Sequence, residues 1–431
     1  MRMVKASIGI FVFCLGATLA LGSPSTQRDF AVSKADSVQS RPTVAYDANH
    51  DRFLVTWTDA RNHPGNSVDI YGRIIDARGT PVTGDFPIAR NKGGQGTSSV
   101  AFDPLNNRYL VAWADWRDAL SIDSDIYGRL VNADGTMHGK EFVIANRRVS
   151  QKQPAVAFDP ARRRFLVVWK DDRGKGAEQL YGRFIDTRGR LLAEEFKVAE
   201  GAGRQDRPSL HYDPKRKRFM VVWRDIVDEH QYLNTPLNGK GIFAALIDPD
   251  SGPRGPGNLI DTEEDACLPP SLYAAAYAPG EDLFLVVWTT ARQYLKTAPD
   301  GKRTMGLDVH GAFVRADNGK RQGRAFPIAV GADYQEFPSV VYDPNKDRFL
   351  VIWYDLRRDP SARNQDVYGR YITPKGKRLE EFLISDSKMP GIRRYPAVAF
   401  SPKSNTWLVL WEDSRHKTST THSQRIYGRV R

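Results

Sequence analysis

Seven tryptophans, Trp57, Trp113, Trp169, Trp223, Trp288, Trp353 and Trp411, each close an apolar run, at spacings of 56, 56, 54, 65, 65 and 58 residues. Around each stands a version of one segment, P-x-V-A-F-D-P-x-x-x-R-F-L-V-V-W-x-D-x-R, followed by D-I-Y-G-R-x-I-D and then E-F-x-I-A. Self-similarity at a fixed period of this length means stacked supersecondary units, none of which buries its apolar surface alone. That constraint excludes most one-off globular folds. It says little about activity, because repeat architectures host unrelated functions.

The third repeat shows what one unit is. Pro154 to Asp159 reads as a short strand ending at Asp159-Pro160, and Arg164 to Trp169 is apolar on both faces, as in a strand buried on two sides. Leu180 to Ile185, a turn at Thr187-Arg188-Gly189, and Glu195 to Ala199 complete four strands with turn residues between them. No window sustains a helical period. Four short antiparallel strands per unit, repeated and covered on both faces, describe the blade of a β-propeller. The period exceeds the 40 to 50 residues usual for propeller repeats, and longer loops account for the excess.

The expected fold is all-β: a single closed seven-bladed β-propeller of four-stranded antiparallel blades. The last repeat runs out after its third strand at Ile426 to Val430, and the N-terminal segment Asp29 to Ser33 matches the missing fourth strand. Pairing the two would complete the seventh blade and leave no open edge.

Residues 1–22 are expected to lie outside that fold. Arg2 and Lys5 precede an apolar run from Ile8 to Leu21, and Ala20-Leu21-Gly22 reads as a cleavage site, the pattern of a secretory signal peptide. Residues 23–431 would then form an exported propeller, periplasmic or extracellular. The chain has two cysteines, Cys14 and Cys267, so the exported part cannot form an internal disulfide and must rely on packing. Its formal net charge of +12 suits an anionic partner such as acidic polysaccharide or lipid headgroups, with nucleic acid not expected. The basic residues are spread through the turns, however, as in Arg162-Arg163-Arg164 and Lys215 to Arg218, where they read as solvated.

Two sets of charged residues recur. The pairs Asp59/Arg61, Asp115/Arg117, Asp171/Arg173, Asp355/Arg357 and Asp413/Arg415 follow their tryptophans, and Arg73, Arg129, Arg183, Arg370 and Arg429 lie in third strands. Both sets fail together in repeats four (Val227, Ala245) and five (Thr290, Ala312). Joint loss points to charge pairing within or between blades, since a buried arginine without a partner is costly. The third-strand glycines Gly72, Gly128, Gly182, Gly311, Gly369 and Gly428 are expected to let a neighbouring tryptophan pack on bare backbone.

The stretch from Asp159-Pro160 through Asp171-Asp172-Arg173 to Leu180-Tyr181, with Asp69-Ile70-Tyr71 and Asp125-Ile126-Tyr127 in other repeats, resembles the WD40-like repeat of TolB-type propellers. The likeness recurs along nearly the whole chain beyond residue 22. It departs in the tryptophan, in the added Tyr-Gly-Arg and in the absence of the family's helical N-terminal domain. It implies a periplasmic protein-binding platform or a gating domain, and it carries over no site residue.

No pattern for chemistry emerges. Metal-spaced Cys or His pairs, a phosphate loop, a calcium loop, a Gly-x-Ser-x-Gly elbow and the Ser-x-Asp-x-Gly-x-x-Trp box of sialidases are all missing, so neither metal nor cofactor is expected. His310 takes the place of the third-strand tyrosine and reads as structural.

Differences between repeats are more informative. The two large insertions, residues 226–240 and 290–307, are second-to-third-strand loops of blades four and five, and an aberrant connection, Asp261 to Cys267, runs between those blades. All three should meet on one sector of one face. There they would gather Asp228, Glu229, His230, Tyr232, Asp261, Glu263, Glu264, Asp265, Arg292 and Tyr294 as candidate binding residues, beside Cys267. Gln39, Gln95, Gln151, Gln205 and Gln335, each 18 residues before its tryptophan, stand on the same face. They either rim the axial channel or satisfy turn backbone. The expected role is partner binding, to a protein or a glycan, with attachment to an anionic surface as a weaker idea. The alternative is a carbohydrate-active hydrolase or lyase using those carboxylates.

Overall fold

The computed structural model describes residues 28–62, 67–117, 123–174, 177–199, 203–226, 241–253, 255, 257–262, 273–290, 296–297, 303–304, 306–331, 334–358, 364–385, 388, 390–415 and 424–431. Seven antiparallel sheets form the ring, and no helix occurs among the described residues. Blade one consists of Gln39–Asp47, Arg52–Asp59, Asp69–Asp76 and Phe86–Ala89, paired in that order from the axis outwards. The second strands, ending in the tryptophans, are buried almost throughout, as expected of strands covered on both faces. Core clusters lie between successive blades, so each unit is stabilised by its neighbours.

The ring closes where the sequence indicated. Phe30–Ala31 pairs with Arg425–Val430, Phe30 opposite Gly428 and Ala31 opposite Tyr427. Val32 N–H donates to the Ile426 carbonyl at 2.8 Å. Val38 bridges to Gln424 alongside.

The recurring polar residues form one network. In the five blades that keep the aspartate–arginine pair, the indole N–H donates to the aspartate two residues on, at 2.8 Å for Asp59 and Asp115, 3.1 Å for Asp171 and 2.9 Å for Asp355 and Asp413. The arginine that follows binds the same carboxylate and lies over the third-strand tyrosine, Arg61 over Tyr71 at 4.1 Å and Arg173 over Tyr181 at 3.8 Å. It also reaches an acid beginning the fourth strand, as in Arg61–Asp85 at 2.9 Å, Arg117–Glu141 at 2.7 Å and Arg415–Asp29 at 2.7 Å. Burial pushes Asp59 up, but donation from Arg61, Trp57 and Ser37 outweighs it and leaves the carboxyl below its usual range.

The third-strand arginines work between blades. Arg73, Arg129 and Arg183 donate to Val32, Ile88 and Ile144 carbonyls on the fourth strand of the preceding blade, at 2.6, 2.9 and 3.1 Å. Where Ala312 replaces this arginine in blade five, Arg321 of the fourth strand donates to the Ile260 carbonyl of blade four at 2.7 Å instead. The fourth-strand acid is absent from the same two repeats, where Gly257 and Ala325 stand. With Val227 in place of the arginine, Asp225 has no guanidinium from its own motif, and burial raises its carboxyl to about 6.

Two expectations need correcting. The third-strand glycines do not receive a tryptophan. A Cβ on Gly72 would lie 2.9 Å from Phe86 and 2.8 Å from Ile88, because the fourth-strand aromatic turns inward over the bare backbone; Phe30 does the same at Gly428. The basic turns are also not simply solvated. Arg162 and Arg216 hold Asp250 and Asp282 of the next blade, so these charges stitch the face opposite the insertions.

Phe30→Ala should lower the unfolding free energy by about 2 kcal/mol, less than the 3–5 kcal/mol typical of a fully buried Phe because this ring is half-buried, as measured by denaturant titration. Asp115→Asn should destabilise by about 3 kcal/mol, since Arg117 loses its buried counter-charge. Asp225→Asn should go the other way. Its carboxyl ionises near 4 when unfolded and about 6 when folded, so a penalty grows between those values and persists above them. At pH 7.5 the variant should be more stable by up to about 3 kcal/mol, and the gain should vanish at pH 4.

Candidate functional site

The innermost strand carries one residue too many in six of the seven blades. In blade one Ser40 faces Thr58 and Thr43 faces Thr56, so Arg41 and Pro42 on one strand stand against Trp57 alone on its partner. The same shift occurs at Gly96/Ser99, Lys152/Ala155, Asp206/Ser209, Glu336/Ser339 and Arg394/Ala397. Such a bulge bends the strand and re-aims a side chain. Within it Arg41, Thr97, Gln153, Arg207, Phe337 and Tyr395 have φ of +53°, +46°, +56°, +53°, +56° and +50°. A non-glycine residue there costs about 1 kcal/mol or more. The prolines that follow, Pro42, Pro154, Pro208, Pro338 and Pro396, are tolerated because a bulge needs no ladder donor at that point.

These six residues surround the axis. They line a cavity of about 330 Å³, together with Thr43, Ser98, Ser209, Tyr273 and four of the prolines. The seventh equivalent, Leu272, lies outside the described residues. Blades six and seven supply an aromatic wall: Phe337 meets Tyr395 edge to face at 4.6 Å and stacks on Tyr354 at 5.4 Å. Arg41 lies 5.7 Å from the Tyr395 ring. Blades two to four supply Thr97, Gln153 and Arg207. Two arginines and no carboxylate line the cavity among the described residues.

Neighbouring side chains hold the ring in place. Gln153 Oε1 accepts from Arg207 N–H at 2.8 Å, and Glu412 Oε1 accepts from Arg41 N–H at 2.8 Å, each across a blade boundary. The Tyr273 hydroxyl donates to the Asp206 carbonyl at 2.6 Å and accepts from Arg224 N–H; burial raises it well above its usual value, so it stays neutral. Burial lowers His211 to about 4, leaving a neutral imidazole 2.7 Å from the Ser209 hydroxyl. Glu412 is pushed by burial to about 7, against the opposing pull of the Arg41 backbone and the Arg41 and Arg394 charges.

Most of the sequence-derived site falls elsewhere or beyond view. Asp228, Glu229, His230, Tyr232, Glu263, Glu264, Asp265, Cys267, Arg292 and Tyr294 lie outside the described residues. Asp261 ends the outermost strand of blade four and accepts from Arg321 at 3.4 Å, away from the axis. Gln205 pairs with Asp225, Asp225 with Gly241 and Gly241 with Thr262, so these described strand ends stand side by side at one edge of blade four.

Gln39, Gln95, Gln151, Gln205 and Gln335 are wholly buried. Four of their amides bond turn or strand backbone, as in Ile426 N–H to Gln39, Asn91 N–H to Gln95, Arg147 N–H to Gln151 and Leu180 N–H to Gln205. Gln335 bonds Asp355 at 3.4 Å. None of the five lines the cavity. The mouth residues stand two positions after these glutamines, or after Arg393 in blade seven, and their signal in the sequence was variability: Arg, Thr, Gln, Arg, Phe and Tyr occupy one slot of an otherwise regular motif.

No protein-family model matches the chain, and no curated protein does. Among solved structures, it is similar to a protein of unknown function from Dyadobacter fermentans, with 14% identity, a TM-score of 0.51, and 80% of this chain and 97% of that one covered. The parainfluenza virus 5 hemagglutinin-neuraminidase ectodomain aligns at 9% identity and a TM-score of 0.49, covering 95% and 83%. Trypanosoma rangeli sialidase aligns at 12% and 0.45, covering 78% and 56%. Identities this low speak to the propeller fold alone. No helix among the described residues is long and apolar enough to cross a membrane.

Glu412→Gln offers a test of how the mouth is held. The native carboxyl ionises near 7 when folded against an ordinary value near 4.5, so its contribution is intact below about pH 4.5 and is lost as pH rises through 7. Denaturant unfolding from pH 5 to 8.5 should show the wild type losing up to about 3 kcal/mol relative to the variant. Parallel curves would mean that Glu412 titrates normally.

Proposed function

We propose that this is an exported, non-catalytic propeller that binds a glycan or protein partner through the axial mouth, on the face from which the blade-four and blade-five segments emerge. The observation that carries it is the ring of left-handed bulges. Six blades hold a residue in a costly conformation at the axis, and the identity of that residue varies while the frame around it does not. Strain retained at one locus, on variable side chains around a cavity, is what a recognition surface on a rigid scaffold requires. The cavity volume falls at the lower end of small-ligand sites, which run from about 300 to 1,000 Å³.

Three further points support this reading. The repeat resembles that of TolB-type propellers, which act as binding platforms. Residues 1–22 read as an export signal, making the compartment periplasmic or extracellular. Three carboxylates beside the mouth residues, Asp206, Glu336 and Glu412, are already engaged by Arg224, by the Tyr354 hydroxyl and by Arg41 N–H.

Capture of partners from envelope extract provides the test. Phe337→Ala/Tyr395→Ala should abolish retention, whereas Leu105→Ser, an exposed position in a first-to-second-strand turn on the opposite face, should not. Turnover of a polysaccharide that disappears with substitution of Asp228, Glu229 or Glu263 would overturn this reading in favour of a hydrolase or lyase.

A further inference from the structure

The chemistry of the mouth narrows the class of ligand, given the binding role proposed above. Its two sides differ. On one, Phe337 and Tyr395 form an apolar wall with Tyr354 behind it. On the other, Arg207 stands beside Gln153 and Thr97. Arg207 is half-buried, its side chain 34% exposed, and its buried Nε has no hydrogen-bond acceptor among the described residues. Asp206 Oδ2 lies 3.8 Å away, beyond hydrogen-bond reach, and is itself bonded by Arg224 at 2.9 Å. The exposed part of Arg207 therefore carries a charge whose counter-ion Asp206 is shared with Arg224 and lies beyond hydrogen-bond reach, which leaves a cation for an incoming anion to meet. Arg41, the most exposed member of the ring, adds a second positive charge next to the aromatic wall.

A ligand matching both sides has a flat apolar face, an anionic group and several hydroxyls. We infer that the axial mouth takes a carboxylate-bearing sugar, a hexuronate ring at the end of an acidic saccharide. The C–H face of the pyranose packs on Phe337 and Tyr395. The carboxylate accepts from Arg207, since a planar guanidinium matches a carboxylate as a fork, and Arg41 adds positive charge from the side of the aromatic wall. The ring hydroxyls meet Thr97, Ser98 and Gln153. A bare inorganic anion would use the arginines and leave the aromatic wall idle; a neutral sugar would leave Arg207 unanswered.

Isothermal titration of the full exported chain separates these cases, using tri-galacturonate, its neutral counterpart tri-galactose, and inorganic phosphate. Tri-galacturonate should bind at least tenfold more tightly than either of the others. Arg207→Gln should weaken tri-galacturonate by tenfold or more without affecting tri-galactose, Arg207→Lys should recover part of the loss, and Tyr395→Leu should weaken both saccharides. Thermal unfolding of each variant checks that the ring is intact. Equal affinity for the neutral trisaccharide, equal affinity for phosphate, or indifference to Arg207→Gln would overturn the uronate assignment. If the neutral trisaccharide still depends on Tyr395, the mouth remains the binding site and the ligand class alone falls. If no probe responds to any mouth substitution and extract capture is also unchanged, the binding reading falls with it.

Discussion

The hydrogen bond from the tryptophan indole to the aspartate two residues on, made in five of the seven blades, is the interaction around which the molecule is organised. A buried indole N–H needs an acceptor, and a buried carboxylate needs a cation. Each requirement recruits the next residue. Trp113 binds Asp115, Asp115 binds Arg117, and Arg117 lies over Tyr127 and binds Glu141. Arg129, 3.8 Å from Glu141, reaches across to the carbonyl of Ile88 in the blade before. Thus one polar atom on the second strand is linked, residue by residue, to all the outer strands of its blade and to the neighbouring blade. The same chain of contacts joins the termini, with Asp29 playing for Arg415 and Arg429 the part that Glu141 plays for Arg117 and Arg129.

The two blades that abandon this network are the two that carry long insertions. In the other blades the backbone N–H of the arginine caps the aspartate, as from Arg61 to Asp59 at 2.9 Å, so the loop leaves the second strand along a set path. Blade four has Val227 in that place and blade five lacks the aspartate. Once the clamp is missing, the connection is no longer constrained at its root and can lengthen. Arg321, reaching the Ile260 carbonyl from the fourth strand, keeps blades four and five joined without it. The relaxed blades are thus still sealed into the ring.

The frame also explains how six strained residues persist at the axis. Each bulge lies between a buried glutamine or arginine at the strand's entry and, in most blades, a proline that needs no ladder partner. Packing from the next blade completes the enclosure, as where Gln153 receives Arg207 N–H. With the backbone settled by these neighbours, the projecting side chain is free to vary without disturbing the fold. Aromatic residues then collect on blades six and seven, and arginines on blades one and four.

Much of this was legible in the order of residues, because repetition turns weak local patterns into strong ones. The strand count, the blade number, the closure of Asp29 to Ser33 onto the last repeat and the coupled loss of arginines all follow from aligning the chain with itself. The site was less legible. Gln39 and its equivalents attracted attention by recurring, yet recurrence marked buried amides that satisfy the frame, and the mouth residues were hidden by their diversity. The third-strand glycines showed that a side chain approaches, but not that it comes from Phe86 rather than from a tryptophan. Sequence by itself determined which residues repeat, and therefore the ring. Only tertiary structure decided that an extra residue in six of the innermost strands turns one side chain onto the axis, because a bulge depends on the register between strands and on the neighbouring blade that holds it.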